Sequence, residues 1–225
     1  MFNETMPGPT LHGRVGDTFV ITLVNDGSMG HSIDFHAGAL APDRPMRTIE
    51  PGEELTYTFT AERAGVWMYP CSTASMSLHI ANGMYGAVVI EPDDLPEVDH
   101  QFLMVHGESY YVPEGDVADS AKIADGDHDT AHYNGYPNQY VQHPLEVKVG
   151  ERVRFWVLDA GPNIATSFHI VGGQFDTLWK EGDYLLGPES ETGGAQALGL
   201  LPAEGGFVEL VFPEAGNYTL VNHIM

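Results

Sequence analysis

An internal repeat restricts the fold of this chain more than any other feature of the sequence. Val15-Gly-Asp-Thr-Phe-Val-Ile-Thr-Leu-Val-Asn-Asp-Gly27 matches Val149-Gly-Glu-Arg-Val-Arg-Phe-Trp-Val-Leu-Asp-Ala-Gly161 position for position in residue type. A histidine follows each copy, His31 after the first and His169 after the second. Phe59-Thr-Ala-Glu-Arg-Ala-Gly-Val-Trp-Met-Tyr69 likewise matches Phe212-Pro-Glu-Ala-Gly-Asn-Tyr-Thr-Leu220, once a two-residue gap is allowed. Self-similarity of this kind means two copies of one structural unit.

The unit is built of strands. Runs at residues 18–24, 54–60, 86–90, 101–105, 152–158 and 206–212 are rich in β-branched and aromatic residues, and several alternate in period two. Gly, Pro, Asn and Asp separate them at the spacing of an all-β sandwich. The clearest helix signal, Asp119-Ser-Ala-Lys-Ile-Ala124, is too short to organise a fold. At 225 residues each half can bury its own core. The expected units are residues 1–95 and 96–225, with the acidic stretch 113–129 as an exposed loop at the seam and the second copy reading as truncated at its C-terminus.

The first copy carries chemistry that the second lacks. Cys71, the only cysteine, is followed at short range by His79 and Met84. A thiolate, an imidazole and a thioether, joined by one further histidine, make the trigonal His₂Cys set with a weak axial Met that suits an electron-transfer copper. His31, just beyond a strong strand pattern, is the best candidate for the missing imidazole. The competing reading treats Cys71 as a small buried hydrophobe and Met84 as core filler. The second copy has Asn222-His223 where the first has Cys71, and His169 there has no thiolate partner and reads as a structural histidine.

Composition narrows the function classes. The formal net charge is −23, yet 43% of residues are hydrophobic, so the acid lies on the surface of a folded protein. Such a surface repels nucleic acid and anionic membrane and favours basic protein partners or solubility at high salt. A single cysteine permits no internal disulfide, and no apolar run long enough to span a membrane is present. No signal peptide opens the chain.

These residues resemble the two-domain cupredoxin family, that of the copper nitrite reductases and two-domain multicopper oxidases. The resemblance rests on Phe2-Asn-Glu-Thr-Met-Pro-Gly-Pro9, His31-Ser-Ile-Asp-Phe-His36, Ala64-Gly-Val-Trp-Met-Tyr69, the Cys71-to-Met84 loop, Gly107-Glu-Ser-Tyr-Tyr-Val-Pro113 and Tyr218-Thr-Leu-Val-Asn-His223. It implies two tandem Greek-key sandwiches and a type 1 copper held by His31, Cys71, His79 and Met84. It implies a second, type 2 copper at His36 and His223, completed between subunits of a homotrimer, with Asp34 as the acid beside substrate. It further implies a copper-dependent oxidoreductase acting on a small molecule such as nitrite or dioxygen, a redox partner protein, and a periplasmic or extracellular location.

The chain departs from the family at residue 70. The family has a histidine immediately before the cysteine, both a type 2 ligand and the covalent link between coppers; here that residue is Pro70. Proline has no side-chain donor. The type 2 site is therefore expected to be impaired, and the alternative is a non-catalytic blue-copper electron-transfer or copper-binding protein.

Overall fold

A computed structural model describes residues 1–224; Met225, at the end of the expected second unit, lies outside the described residues. The first part of the chain forms β1 (Leu11–Arg14), β2 (Thr18–Val24), β3 (Glu54–Thr60), β4 (Gly65–Pro70) and β5 (Tyr85–Glu91), with α1 (Met76–Ala81) between β4 and β5. The rest begins with β6 (His100–Ser109), α2 (Ser120–Ala124), β7 (Thr130–Tyr133), α3 (Gln139–Gln142) and β8 (Arg152–Asp159). It continues through β9 (Thr166–Ile170), β10 (Thr177–Lys180), β11 (Asp183–Leu186), β12 (Leu198–Leu200), β13 (Gly205–Val211) and β14 (Leu220–Asn222). The all-β reading holds, and each strand run read from the sequence lies on an observed strand, within a residue at both ends except that β6 runs four residues beyond the run at 101–105.

Four sheets result, ordered β1-β5-β4, β2-β3, β11-β10-β13-β8-β6-β7 and β12-β9-β14. One core fills the space around β1 to β5, including Ile33, Phe35, Phe59, Cys71 and Met84. A second core includes Phe155, Phe168, Phe175 and Leu210. A third joins the two halves, placing Val66, Met68, Ala87 and Val89 against Val105, Trp156, Leu158 and Phe207. Period two explains why β4 and β5 read as continuously apolar: Val88 and Ile90 face the first core while Ala87 and Val89 face the third.

The repeat is visible as a repeated turn. Gly16 and Gly150 both take positive φ, +93° and +84°, which glycine adopts without steric cost. The acid that follows closes each turn: Asp17 accepts the Arg14 N–H at 2.8 Å, and Glu151 accepts the Lys148 N–H at 2.8 Å. The Val-Gly-Asp/Glu signature is thus the entry to β2 and to β8.

The acidic stretch 113–129 is not simply an exposed loop. Asp119 caps α2 by accepting the Ala121 N–H at 2.8 Å, and Ala118 and Ile123 bury against Ala81 and Tyr110. The helix signal at 119–124 is realised as α2, while the burial of Ala118 and Ile123 depends on Ala81 and Tyr110, contacts that no local pattern reports. Among the described residues, no helix is long and apolar enough to cross a membrane.

Candidate metal centre

β4 and β5 form an antiparallel pair whose register ends at Pro70 opposite Tyr85. The next residues continue the pairing, since the Cys71 N–H donates to the Met84 carbonyl at 2.9 Å. The intervening segment folds back through α1, which was read as loop from the sequence. Its last turn carries His79, whose carbonyl accepts the Met84 N–H at 3.0 Å. Strand pairing and one short helix therefore fix Cys71, His79 and Met84 together. His31 comes from the segment after β2, locked by reciprocal backbone bonds with Ile49 at 3.1 and 2.8 Å.

These elements converge on the thiol. Cys71 Sγ lies 3.4 Å from His79 Nδ1 and 3.9 Å from His31 Nδ1, and the two rings stand edge to face, 5.2 Å apart. The ligand atoms of His31, Cys71 and His79 all lie within 4.8 Å of one another; among the described residues no other group of three or more His, Cys, Asp and Glu does so. Met84 is buried in the same core as Cys71. Burial lowers the pKa of both imidazoles, and for His31 the neighbouring His79 lowers it further. Burial thereby favours, in both rings, the neutral form that offers a lone pair to a metal.

Hydroxyls support the thiol from the other side. The Ser32 N–H points at Cys71 Sγ from 3.5 Å, and Ser32 Oγ lies 3.9 Å from the same sulfur. That oxygen accepts the Ser72 N–H at 3.1 Å and the Thr73 hydroxyl at 3.0 Å, so buried Ser32 ties the cysteine loop to the His31 segment. Hydrogen bonds of this kind around a cysteine sulfur tune the redox potential of a copper it binds.

Two soft-to-intermediate nitrogen donors, one thiolate and a buried thioether on rigid elements fit a type 1 copper.

The residues expected at a second site fall into two places. Asp34 and His36 lie alongside the end of β4, their N–H groups donating to the carbonyls of Pro70 and Met68 at 3.0 and 3.1 Å. Asp34 Oδ2 and His36 Nε2 are 3.6 Å apart, each side chain about a third exposed. His223 follows β14 in the other half, its N–H on the Ser167 carbonyl at 3.0 Å.

His169 was read as structural, and the structure places it beside His223 with ring centroids 5.0 Å apart. Its Nδ1 faces the Gln196 carbonyl, so Nδ1 carries a proton and donates it there.

Residues 1–95 match the multicopper oxidase family model. The copper-containing nitrite reductase of Neisseria gonorrhoeae is 33% identical over 99% of this chain, and the chain spans only 58% of its length. That of Alcaligenes xylosoxydans xylosoxydans is 31% identical over 99% of this chain and 74% of its own. Among solved structures, the copper nitrite reductase from Nitrosomonas europaea superposes with a TM-score of 0.85 at 31% identity, covering 98% of this chain and 79% of that one. With a fold of two β-sandwich halves, a convergent His-Cys-His group and relatives matched over nearly its whole length, the chain belongs to the family of two-domain cupredoxins that contains the copper nitrite reductases.

Proposed function

We propose that this protein is a copper-dependent oxidoreductase whose first domain, residues 1–95, holds a type 1 copper at His31, Cys71, His79 and Met84, and whose second domain, residues 96–225, holds none. The convergence of two imidazole Nδ1 atoms on the Cys71 thiol carries this reading. Such a copper accepts and passes on single electrons. The chain's own task is to hold the donors still: Ser32 and the Cys71–Met84 backbone bond fix the sulfur, and the surrounding core excludes water.

A second copper is proposed at His36 and His223. The two come from different halves of the chain, and among the described residues neither belongs to a group of three or more His, Cys, Asp and Glu ligand atoms within 4.8 Å, which supports completion across a subunit boundary in a cyclic homotrimer. Light scattering should report a trimer at micromolar concentration; a monomer without concentration dependence would remove the trimer from the reading. Asp34, within 3.6 Å of His36 and partly open to solvent, is placed to give a proton to a small oxyanion or to dioxygen. His169 beside His223 supplies a further imidazole. The net charge of −23 favours a basic redox partner protein, and the family resemblance favours a periplasmic or extracellular setting.

Pro70 supports a second reading, in which the protein only carries electrons. Its carbonyl binds the Asp34 N–H, so residue 70 adjoins both Cys71 and the Asp34–His36 segment, yet its ring has no donor to offer. Copper per chain, read with electron paramagnetic resonance, separates the readings: about two for the enzyme and about one for the carrier. Pro70→His is expected to raise copper occupancy and to speed reoxidation of the reduced protein by nitrite or dioxygen. Unchanged stoichiometry and rate in a folded variant favour the carrier.

A further inference from the structure

A buried histidine and aspartate in the second half serve none of the roles above. His106 at the end of β6 is 1% exposed and Asp159 at the end of β8 is 0% exposed. They stand opposite one another in the parallel β6–β8 ladder, with His106 Nδ1 3.1 Å from Asp159 Oδ1. We propose that Asp159, His106 and Asn222 form one hydrogen-bonded chain that fixes the segment bearing His223, making His106 and Asn222 positioning residues for that imidazole. The proposal rests on the reading of His223 as a metal ligand for its purpose, though not for its geometry.

The bonding of Asn222 determines every proton in the chain. Its Oδ1 accepts two backbone N–H groups, from Ser167 at 2.8 Å and from Ile224 at 3.1 Å. Only the amide oxygen can accept both, so the NH₂ group faces His106 Nε2, at 3.4 Å. That nitrogen must then carry a lone pair. The proton is on Nδ1, which donates to Asp159 Oδ1, an oxygen that also accepts the Gly161 N–H at 2.9 Å.

The internal repeat shows that this arrangement is particular to the second half. Asn25 is the counterpart of Asp159, and its Oδ1 accepts the N–H of Gly27 at 3.0 Å just as Asp159 accepts that of Gly161. Asn25 uses its amide nitrogen to donate to the carbonyls of Met29 and Ile49, both at 2.9 Å. Asp159 Oδ2, which stands in place of that nitrogen, is buried without a partner, and burial raises the pKa of the carboxyl. A carboxylate at this place costs hydrogen bonds that an amide would make. It does provide an acceptor for the His106 N–H, which is what the chain to Asn222 requires.

The segment is one that needs such support. β14 has three residues and forms an edge of the β12-β9-β14 sheet, and its last ladder pair is Asn222 with Phe168. His223 therefore sits one residue beyond the ladder. The Asn222 amide brackets it, binding the N–H of Ile224 on one side and that of Ser167 on the facing strand. Orienting partners of this type commonly contribute 10- to 100-fold to metal affinity.

The test uses the full chain with His106→Leu, Asn222→Ala and His106→Gln, the last keeping an acceptor for the Asn222 amide. In the metal-free protein, the His223 ring resonance, identified by its loss in His223→Ala, should be single and sharp. It should broaden or split in His106→Leu and Asn222→Ala and recover in His106→Gln. In copper titrations with the type 1 site already filled, affinity for the second copper should fall about 10- to 100-fold in the first two variants. An unchanged His223 signal in folded Asn222→Ala would overturn the proposal, as would failure of His106→Gln to recover it. Signals that change as expected in a protein binding no second copper would uphold the positioning chain and refute the ligand role of His223.

Discussion

Cys71→Ser should abolish the visible absorption of the copper-loaded protein and leave the fold in place. The colour of a type 1 centre comes from charge transfer out of a thiolate, and Cys71 is the only cysteine in the chain. A serine hydroxyl does not ionise in this range and offers no comparable covalency. The fold should tolerate the change, because Ser is nearly isosteric and the Ser32 N–H that faces the sulfur at 3.5 Å finds an oxygen instead. Met84→Leu is the matching control. It leaves His31, Cys71 and His79 untouched, so the band should persist with an altered reduction potential, since an axial thioether tunes the centre without creating its colour. Absorption spectra of the copper-loaded variants decide the matter: a band retained in Cys71→Ser would show that the sulfur is not a ligand.

How much of this was legible in the sequence depended on the range of the contacts involved. The residues proposed for the first site lie within a short stretch plus one histidine placed by strand pattern, so Cys71, His79, Met84 and His31 could be singled out from spacing and resemblance, and the structure brings the ligand atoms of His31, Cys71 and His79 together. The turns at Gly16 and Gly150 could be expected from the repeat, because a glycine followed by an acid is a local signal. The buried chain through Asp159 and His106, and the burial of His132 beside it, carry no such local signal. His106 and His132 are both buried, and burial pushes the pKa of His132 down to about 4. Their environment is made by β6, β7 and β8 meeting across long sequence separations, and no local pattern reports such meetings. Ser32 was missed for a related reason: a single serine after a histidine carries no signal until the cysteine loop packs against it.

Glu209→Ala should destabilise the protein by about 3–5 kcal/mol, the range for breaking a buried ion pair by removing one partner. Glu209 and Arg154 are each 1% exposed and stand opposite one another on β13 and β8. The Arg154 Nε–H donates to Glu209 Oε1 at 2.7 Å, and its Nη2 also reaches the Pro96 carbonyl at 2.6 Å. Glu209 Oε2 accepts from Arg152 at 3.1 Å, and Arg152 in turn binds Asp176 through two bonds of 3.0 and 2.6 Å. The guanidinium of Arg154 lies over the rings of Trp156 and Phe207, 5.4 and 5.2 Å from their centroids, in the core that joins the two halves. Removing the carboxylate leaves that cation desolvated and without its counter-charge, and water cannot reach it without opening the joint. The pair itself is a poor source of net stability, because each charge loses its hydration on burial. Arg154→Met combined with Glu209→Leu should therefore cost less than Glu209→Ala alone. Urea unfolding followed by tryptophan fluorescence measures all three proteins, with Trp156 as a reporter inside the joint. A double variant less stable than Glu209→Ala would mean that the bond from Arg154 to Pro96, which ties the connecting segment to the second half, matters more than charge balance.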